Sequence, residues 1–410
     1  MNQQLVRPPV LNTGEGRSAS RLELFFDLAY VFVVAELATA LAHDLTWHGV
    51  GVFTGLFALI WFSWVGFTLY ANRFDTDDVV FRLTKLAATA CIAGCAASAG
   101  DAAGEQSTAF AVCYLLARLL LLGLHLRAYR HVPEARGTVA VYVLAGATTC
   151  ALWSVSLAVP GPARYALWGA ALLVDAVAPV LATLRGDAVP LHMEHLPDRF
   201  GLLVILVLGE GVAACVAAVH DAHWTAPVVL AAAVSFVVLA ALWWNYFDAG
   251  SRAGQANLHR VEQRAEQGEE AATERYDLFV YGHLPLALGV AAAAVGLEAL
   301  VLHPDDHPAA SQGLLAGGLT AFFVGLVAIV AGSSANLHRA WPWPGVGVLL
   351  PLLIAVPPWP DRVAVAVAAV LVVGCAVVGT RAFRHGDLTT APGDGSRAEV
   401  PLDPVDPAQE

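Results

Sequence analysis

The run Leu28-Ala29-Tyr30-Val31-Phe32-Val33-Val34-Ala35-Glu36-Leu37-Ala38-Thr39-Ala40-Leu41-Ala42 holds a single carboxylate among apolar side chains. It has a counterpart in Leu202-Leu203-Val204-Ile205-Leu206-Val207-Leu208-Gly209-Glu210-Gly211-Val212-Ala213-Ala214. Each glutamate is followed at nearly the same distance by Asn-x-Phe-Asp, as Asn72-Arg73-Phe74-Asp75 after Glu36 and as Asn245-Tyr246-Phe247-Asp248 after Glu210. The offset between the copies stays near 174 residues, which predicts an internal duplication of a long hydrophobic unit. Backbone amides in lipid must be satisfied within the segment, so runs of this kind are read as helices that cross the hydrocarbon layer.

Composition agrees. The chain is 58% hydrophobic and 14% charged, well below the roughly 25% charged residues of a soluble domain, and its mean hydropathy is +0.63. Twelve spans are predicted: 24–43, 50–70, 82–100, 108–126, 138–158, 164–184, 200–219, 226–247, 277–302, 312–332, 343–359 and 363–381. The eleventh is the weakest, since it carries Pro351 and ends in Pro357-Pro358. Lys and Arg collect in cytoplasmic loops, and this threading puts 19 of the 22 on the side holding both termini, including Arg73, Arg82 and Lys85 between the second and third spans. Both termini are therefore expected in the cytoplasm of a multi-pass protein of the inner membrane. Residues 1–20 contain no apolar signal-peptide core, so the first span is read as an uncleaved anchor.

The predicted fold class is an all-α polytopic membrane protein of about twelve helices. A cytoplasmic segment (1–22) precedes a first six-helix half (23–185) and a second six-helix half (186–385), which includes a polar cytosolic loop (249–276). An acidic, disordered tail (386–410) follows. Six spans per half is even, so the halves share one orientation, a parallel pseudo-repeat with a site between them near the midplane. Shorter echoes fit: Leu124-His125-Leu126-Arg127 with Leu337-His338-Arg339, and, more loosely, Lys85-Leu86 with His283-Leu284. The net charge of −12 comes with no basic stripe, so nucleic acid is not an expected partner. The lipid bilayer and a small solute are; self-association stays open. The six cysteines all fall in predicted spans, without a CxxC pair, and Cys91 and Cys95 are read as small packing residues.

Three stretches carry a family likeness. Leu22-Glu23-Leu24-Phe25-Phe26-Asp27-Leu28, His195-Leu196-Pro197-Asp198-Arg199-Phe200-Gly201 with Leu208-Gly209-Glu210, and Trp243-Trp244-Asn245-Tyr246-Phe247-Asp248 together resemble the bacterial low temperature requirement protein A family, over roughly residues 18–385. The resemblance implies a polytopic membrane protein; the family's name describes a growth phenotype and points toward membrane or envelope function in the cold.

Ionisable groups inside a bilayer cost several kcal/mol and mark interiors or water-filled paths. Glu36 and Glu210 are therefore the leading candidates for proton or cation coupling, against a bridging role with Arg118, Tyr30 or a backbone carbonyl. Glu23 and Asp27 share a helix face, while Glu36 lies on the opposite side of the same helix. Arg118, the one Arg deep in a span, requires a buried acid, whereas Asp101, Glu105, Asp175 and Glu298 are read as interfacial. The wider set of coupling candidates is Asp27, Asp75, Asp248, Asn72, Asn245, Arg199 and His283. Gly51-x-x-x-Gly55 is read as a close helix contact. His43, His220 and His223 are outer-face candidates for a metal, with His48, His303 and His307 nearby. No nucleotide or nucleophile-elbow signature is present, and no cofactor beyond a proton or cation is expected. The leading expectation is a secondary transporter, not an enzyme. The alternatives are a membrane scaffold or stress sensor acting through residues 249–276, and an intramembrane enzyme on a lipid-linked substrate with metal-bound Asp75-Thr76-Asp77-Asp78 and Asp248.

Overall fold

Uninterrupted apolar sequence leaves the backbone one economical way to satisfy its hydrogen bonds, and the chain folds accordingly as long helices. The computed structural model describes residues 6–12, 20–75, 77–184, 196–251, 273–302, 308–333, 342–355 and 359–384. The helices are α1 (Arg21–His43), α2 (Trp47–Arg73), α3 (Val79–Ala99), α4 (Ser107–His131), α5 (Arg136–Ala158), α6 (Pro162–Leu184), α7 (Leu196–Asp221), α8 (Ala226–Trp244), α9 (Thr273–Leu302), α10 (Pro308–Ser333), α11 (Pro342–Leu349), α12 (Leu352–Ala355) and α13 (Asp361–Arg384). Among the described residues, eleven helices are long and apolar enough to cross a membrane.

The eleventh predicted span, over 343–359, is corrected. It is a broken segment, α11 and α12, parted at Leu350-Pro351. Pro351 has no N–H to give the helix and its ring crowds the carbonyl one turn earlier, which stops α11. A continuous helix over residues 342–355 would span only about 21 Å, short of a hydrocarbon layer of about 30 Å. The chain turns back into α13 beside the start of α10, where Gln312 donates to the Trp359 carbonyl (2.6 Å) and approaches Asp361 (3.3 Å).

Packing follows a regular order. In the first six helices α1 packs on α2 and α3, α3 on α4, α4 on α5, α5 on α6, and α2 on α6. In the rest α7 packs on α8 and α9, α9 on α10, α10 on α11, α11 on α13, and α8 on α13. The two sets join mainly where α1 meets α7 and α9. Aromatic rings fill the first set: Phe110, Tyr114, Trp153 and Trp168 form one buried group, and the Tyr114 hydroxyl donates to the Leu59 carbonyl (3.0 Å).

At the end of the bundle where α1 begins, called here the proximal end, the N-terminal segment is tied down. Val10–Leu11 (β1) pairs antiparallel with Phe74–Asp75 (β2). Asp78 caps α3 by accepting from the Phe81 amide (2.9 Å) and also takes Arg127 Nη2 (2.6 Å) and the Arg7 amide (3.2 Å). Partial burial pushes this carboxyl up, but Arg127 and the two amides outweigh it and hold Asp78 below the usual carboxylate range.

The closest helix contact is not at Gly51 and Gly55. Nothing lies within 4 Å of where a Cβ would stand at either, and both face an apolar groove of about 460 Å³ beside α6. The small residues that bring backbones together are Gly282 and Gly289 on α9 against Gly325 and Gly318 on α10, with Gly296 against the Leu315 backbone. A Cβ on Gly289 would strike the Gly318 carbonyl and the Phe322 amide; one on Gly282 would stand 3.0 Å from the Gly325 carbonyl oxygen. Backbone cannot step aside as a side chain can. Gly289→Leu is therefore expected to lower stability by about 3 kcal/mol or more, whereas Gly55→Ala leaves it unchanged or raises it by up to about 1 kcal/mol; thermal unfolding in detergent micelles measures both.

Candidate functional site

α1 starts with a reciprocal cap. The Ser20 hydroxyl accepts from the Glu23 amide (3.2 Å) while the Glu23 carboxylate accepts from the Ser20 amide (2.8 Å). This fixes the first turn and places Asp27 one turn deeper on the same face. Opposite it, the first turn of α7 presents Arg199. Its Nη2 donates to Asp27 Oδ1 at 2.9 Å, and its Nη1 lies 3.5 Å from Glu23 Oε2. Trp64 of α2 donates its indole N–H to the same Asp27 oxygen at 2.8 Å. Two of the three stretches that carry the family likeness thus meet across 172 residues of chain, joined by a buried ion pair.

Lys85 belongs to this cluster. The sequence reading had placed it among the inner-loop cations, but it is fully buried on α3, with Nζ 3.4 Å from the Phe26 ring centroid and 5.1 Å from that of Phe67. Among the described residues its Nζ has no hydrogen-bond partner, and neither does Asp27 Oδ2. A desolvated cation–π contact contributes about 2 kcal/mol, less than the several kcal/mol that taking an ion out of water costs. The ring alone does not stabilise a charged Lys85.

An aromatic wall closes the other side. Phe200 packs edge-on against Trp64 (5.0 Å between centroids) and beside His283 (4.5 Å). His283 is fully buried, its Nδ1 2.7 Å from the Phe279 carbonyl and its Nε2 2.9 Å from the Tyr246 hydroxyl. A carbonyl can only accept, so Nδ1 donates, and a neutral ring then accepts from Tyr246 at Nε2.

Deeper along the same two helices are Glu36 on α1 and Glu210 on α7. Nine residues past Asp27 and eleven past Arg199, they stand about 14 and 16 Å deeper. They are near enough to act on each other electrostatically. Glu36 is largely uncovered by protein and Glu210 half-buried. Among the described residues neither makes an ion pair or hydrogen bond. The partners considered for Glu36 from sequence are engaged elsewhere: Tyr30 bonds Ser63 (3.0 Å), and Arg118 is paired with Asp175.

That last pair corrects the placing of Asp175 at an interface. Its side chain is buried, and it takes both Arg118 and the Thr149 hydroxyl (3.2 Å). Arg118 and Asp175 border a cavity of about 40 Å³ shared with His125 and Tyr142, enough for a single water. This polar group ties α4, α5 and α6 together and lies apart from the seam.

The remaining candidates are dispersed. Asn245 is buried in a π-helical stretch (Asn245–Ser251) and donates to the carbonyls of Ala241 (2.7 Å) and Val372 (3.0 Å), joining α8 to α13. Asp248 accepts from the Thr380 hydroxyl (3.2 Å). The backbone carbonyl of Asn72 accepts from Asn12 (3.1 Å); Asp75 contributes its backbone to β2, and its side chain lies outside the described residues. His43, His220 and His223 are exposed, His223 and Trp224 in a left-handed turn (φ 51° and 57°). Among the described residues no three His, Cys, Asp or Glu gather where a metal could be held. His195, His303, His307, residues 252–272 and the tail lie outside the described residues. From sequence, Asp27 and Arg199 stood as separate coupling candidates and Glu23 only as sharing a helix face with Asp27; Trp64 and Lys85 were missed as site residues. The available signal for Lys85 was a cation placed only a few residues into an apolar run.

Fold and site define a polytopic helical membrane protein with ionisable side chains along an internal seam. The chain belongs to the bacterial low temperature requirement A protein (LtrA) family, whose model matches residues 18–379. It is 26% identical over 295 residues to an uncharacterized protein of Rhizobium meliloti (strain 1021), covering 70% of each chain. No solved structure matches it.

Removing one member of a buried ion pair leaves the other uncompensated, at a cost of about 3–5 kcal/mol. Arg199→Met is expected to destabilise by that amount. Combining it with Asp27→Leu should cost at least about 1 kcal/mol less than the two single changes summed. Denaturant unfolding of the four proteins in micelles measures this coupling, and strict additivity would contradict it.

Proposed function

We propose that this protein is a secondary permease that moves a small solute together with protons or a cation along the α1–α7 seam. One observation carries the reading: Glu36 and Glu210, from matching positions in two similar sequence units, are near enough to act on each other electrostatically and, among the described residues, make no ion pair. Two carboxylates near one another in a low-dielectric setting repel unless a proton or a cation is shared between them. An uptake site for either is the economical resolution.

The duplication is supported by the packing. The six pairings described for the first six helices each have a counterpart among α7, α8, α9, α10, α11 and α13, while the smaller α2–α4 contact does not, and α1 and α7 pack on each other. An axis along the membrane normal relates such repeats, with the site between them. The distribution of Arg supports a cytoplasmic proximal end and insertion in the inner membrane. On that orientation the Glu23, Asp27, Arg199 and Trp64 cluster closes the seam on its inner side. A metal-dependent enzyme has less to stand on, because Asp248 is bonded to Thr380 and lies in no cluster of ligands among the described residues.

The test uses proteoliposomes loaded with a pH-sensitive dye and a panel of amino acids, polyols and organic cations. At least one solute is expected to drive proton movement. Glu36→Gln and Glu210→Gln, folded as judged by thermal unfolding, should abolish it. Undiminished movement in both variants would remove the carboxylates from the coupling role.

A further inference from the structure

Lys85 is the only lysine in the chain, and the rest of the 22 Lys and Arg residues are arginine. It stands fully buried, at the point where α1, α2, α3 and α7 converge. Arginine keeps its charge in any protein setting, while a desolvated lysine amine readily gives up its proton. The single lysine therefore sits where only lysine offers a choice of charge.

Its surroundings have a matching gap. Among the described residues, Lys85 Nζ and Asp27 Oδ2 are both buried without hydrogen-bond partners, and Arg199 Nη1 makes only the long 3.5 Å approach to Glu23. The charged groups acting on Lys85 are Arg199 from α7 and Glu23 and Asp27 from α1. α2 contributes neutral Trp64 and Phe67. In the arrangement seen, Arg199 and Trp64 occupy Asp27 Oδ1, leaving Oδ2 open.

We propose that Lys85 takes up and releases a proton at this seam, with Asp27 as its partner when charged. The use of that proton rests on the permease reading; the chemistry of the amine does not. With no hydrogen bond to Nζ among the described residues, the arrangement seen suits the neutral amine. A proton taken from water at the proximal end forms a new N–H bond through the amine lone pair. The resulting ammonium finds its acceptor at Asp27 Oδ2, in competition with Arg199. Giving the proton back to water returns Asp27 to Arg199. Because Asp27 is on α1 and Arg199 on α7, the exchange loosens the contact between the two sets of helices.

A single lysine makes the test direct, since labelling with ¹⁵N-lysine gives one side-chain nitrogen signal in the full-length protein. In lipid nanodiscs that signal is expected to pass from ammonium to neutral amine as the pH is raised, at a pH below the value of about 10 at which a solvated lysine changes charge. An ammonium throughout, or an amine throughout, overturns the proposal. Asp27→Asn should keep the amine form to a more acidic pH; should that variant not fold, Glu23→Gln is read in the same way. A changeover unmoved in a folded variant overturns the pairing. In the dye-loaded vesicles, folded Lys85→Arg is expected to move no protons, and normal movement overturns the coupling role. If wild-type vesicles move no protons with any solute, the permease reading fails, while the nitrogen signal still decides whether Lys85 changes charge.

Discussion

Everything along the seam depends on Arg199 being buried against Asp27. Neither charge is tolerable alone in hydrocarbon, so α1 and α7 must meet at that level. Once they do, the depth of both helices is set. Glu36 and Glu210 then arrive near the same level from opposite sides, because nine residues of one helix and eleven of the other rise by similar amounts. Trp64, Phe200 and His283 pack around the pair and keep it dry, which strengthens it further.

The two sets of helices reach stability by different routes. The first uses a buried ion pair, Arg118 with Asp175, and a large aromatic group. The second uses glycine contacts between α9 and α10, where backbones approach too closely for any side chain. At the seam they differ again: α3 offers Lys85, and α9 offers His283, held by the Tyr246 hydroxyl and the Phe279 carbonyl. The amine has no hydrogen-bond partner among the described residues, whereas the imidazole is bonded at both ring nitrogens.

Sequence made the helices legible because backbone satisfaction in lipid leaves no other choice; the first predicted span, 24–43, became Arg21–His43, and the doubtful span at Pro351 proved to be broken. Side-chain partners were another matter. In a soluble helix the apolar stripe identifies the buried face, but here lipid-facing and core-facing positions are both apolar, so periodicity does not separate them. Gly51 and Gly55 were accordingly read as a contact when they border an open groove. Asp175 was counted as interfacial from its position and is buried on Arg118. Asp27 and Arg199 were both singled out, yet nothing in a linear sequence states that residues so far apart share a hydrogen bond.

The claim at the centre is that the uncovered side of Glu36 faces a water-accessible seam and not lipid. A cysteine at position 36, in a background whose six native cysteines are replaced, can be probed with a membrane-impermeant maleimide in intact vesicles. Labelling by that reagent, blocked by prior treatment with a small water-soluble thiol reagent, is the predicted result. Labelling only by lipid-soluble maleimides, with none by the impermeant reagent from either side, would contradict it.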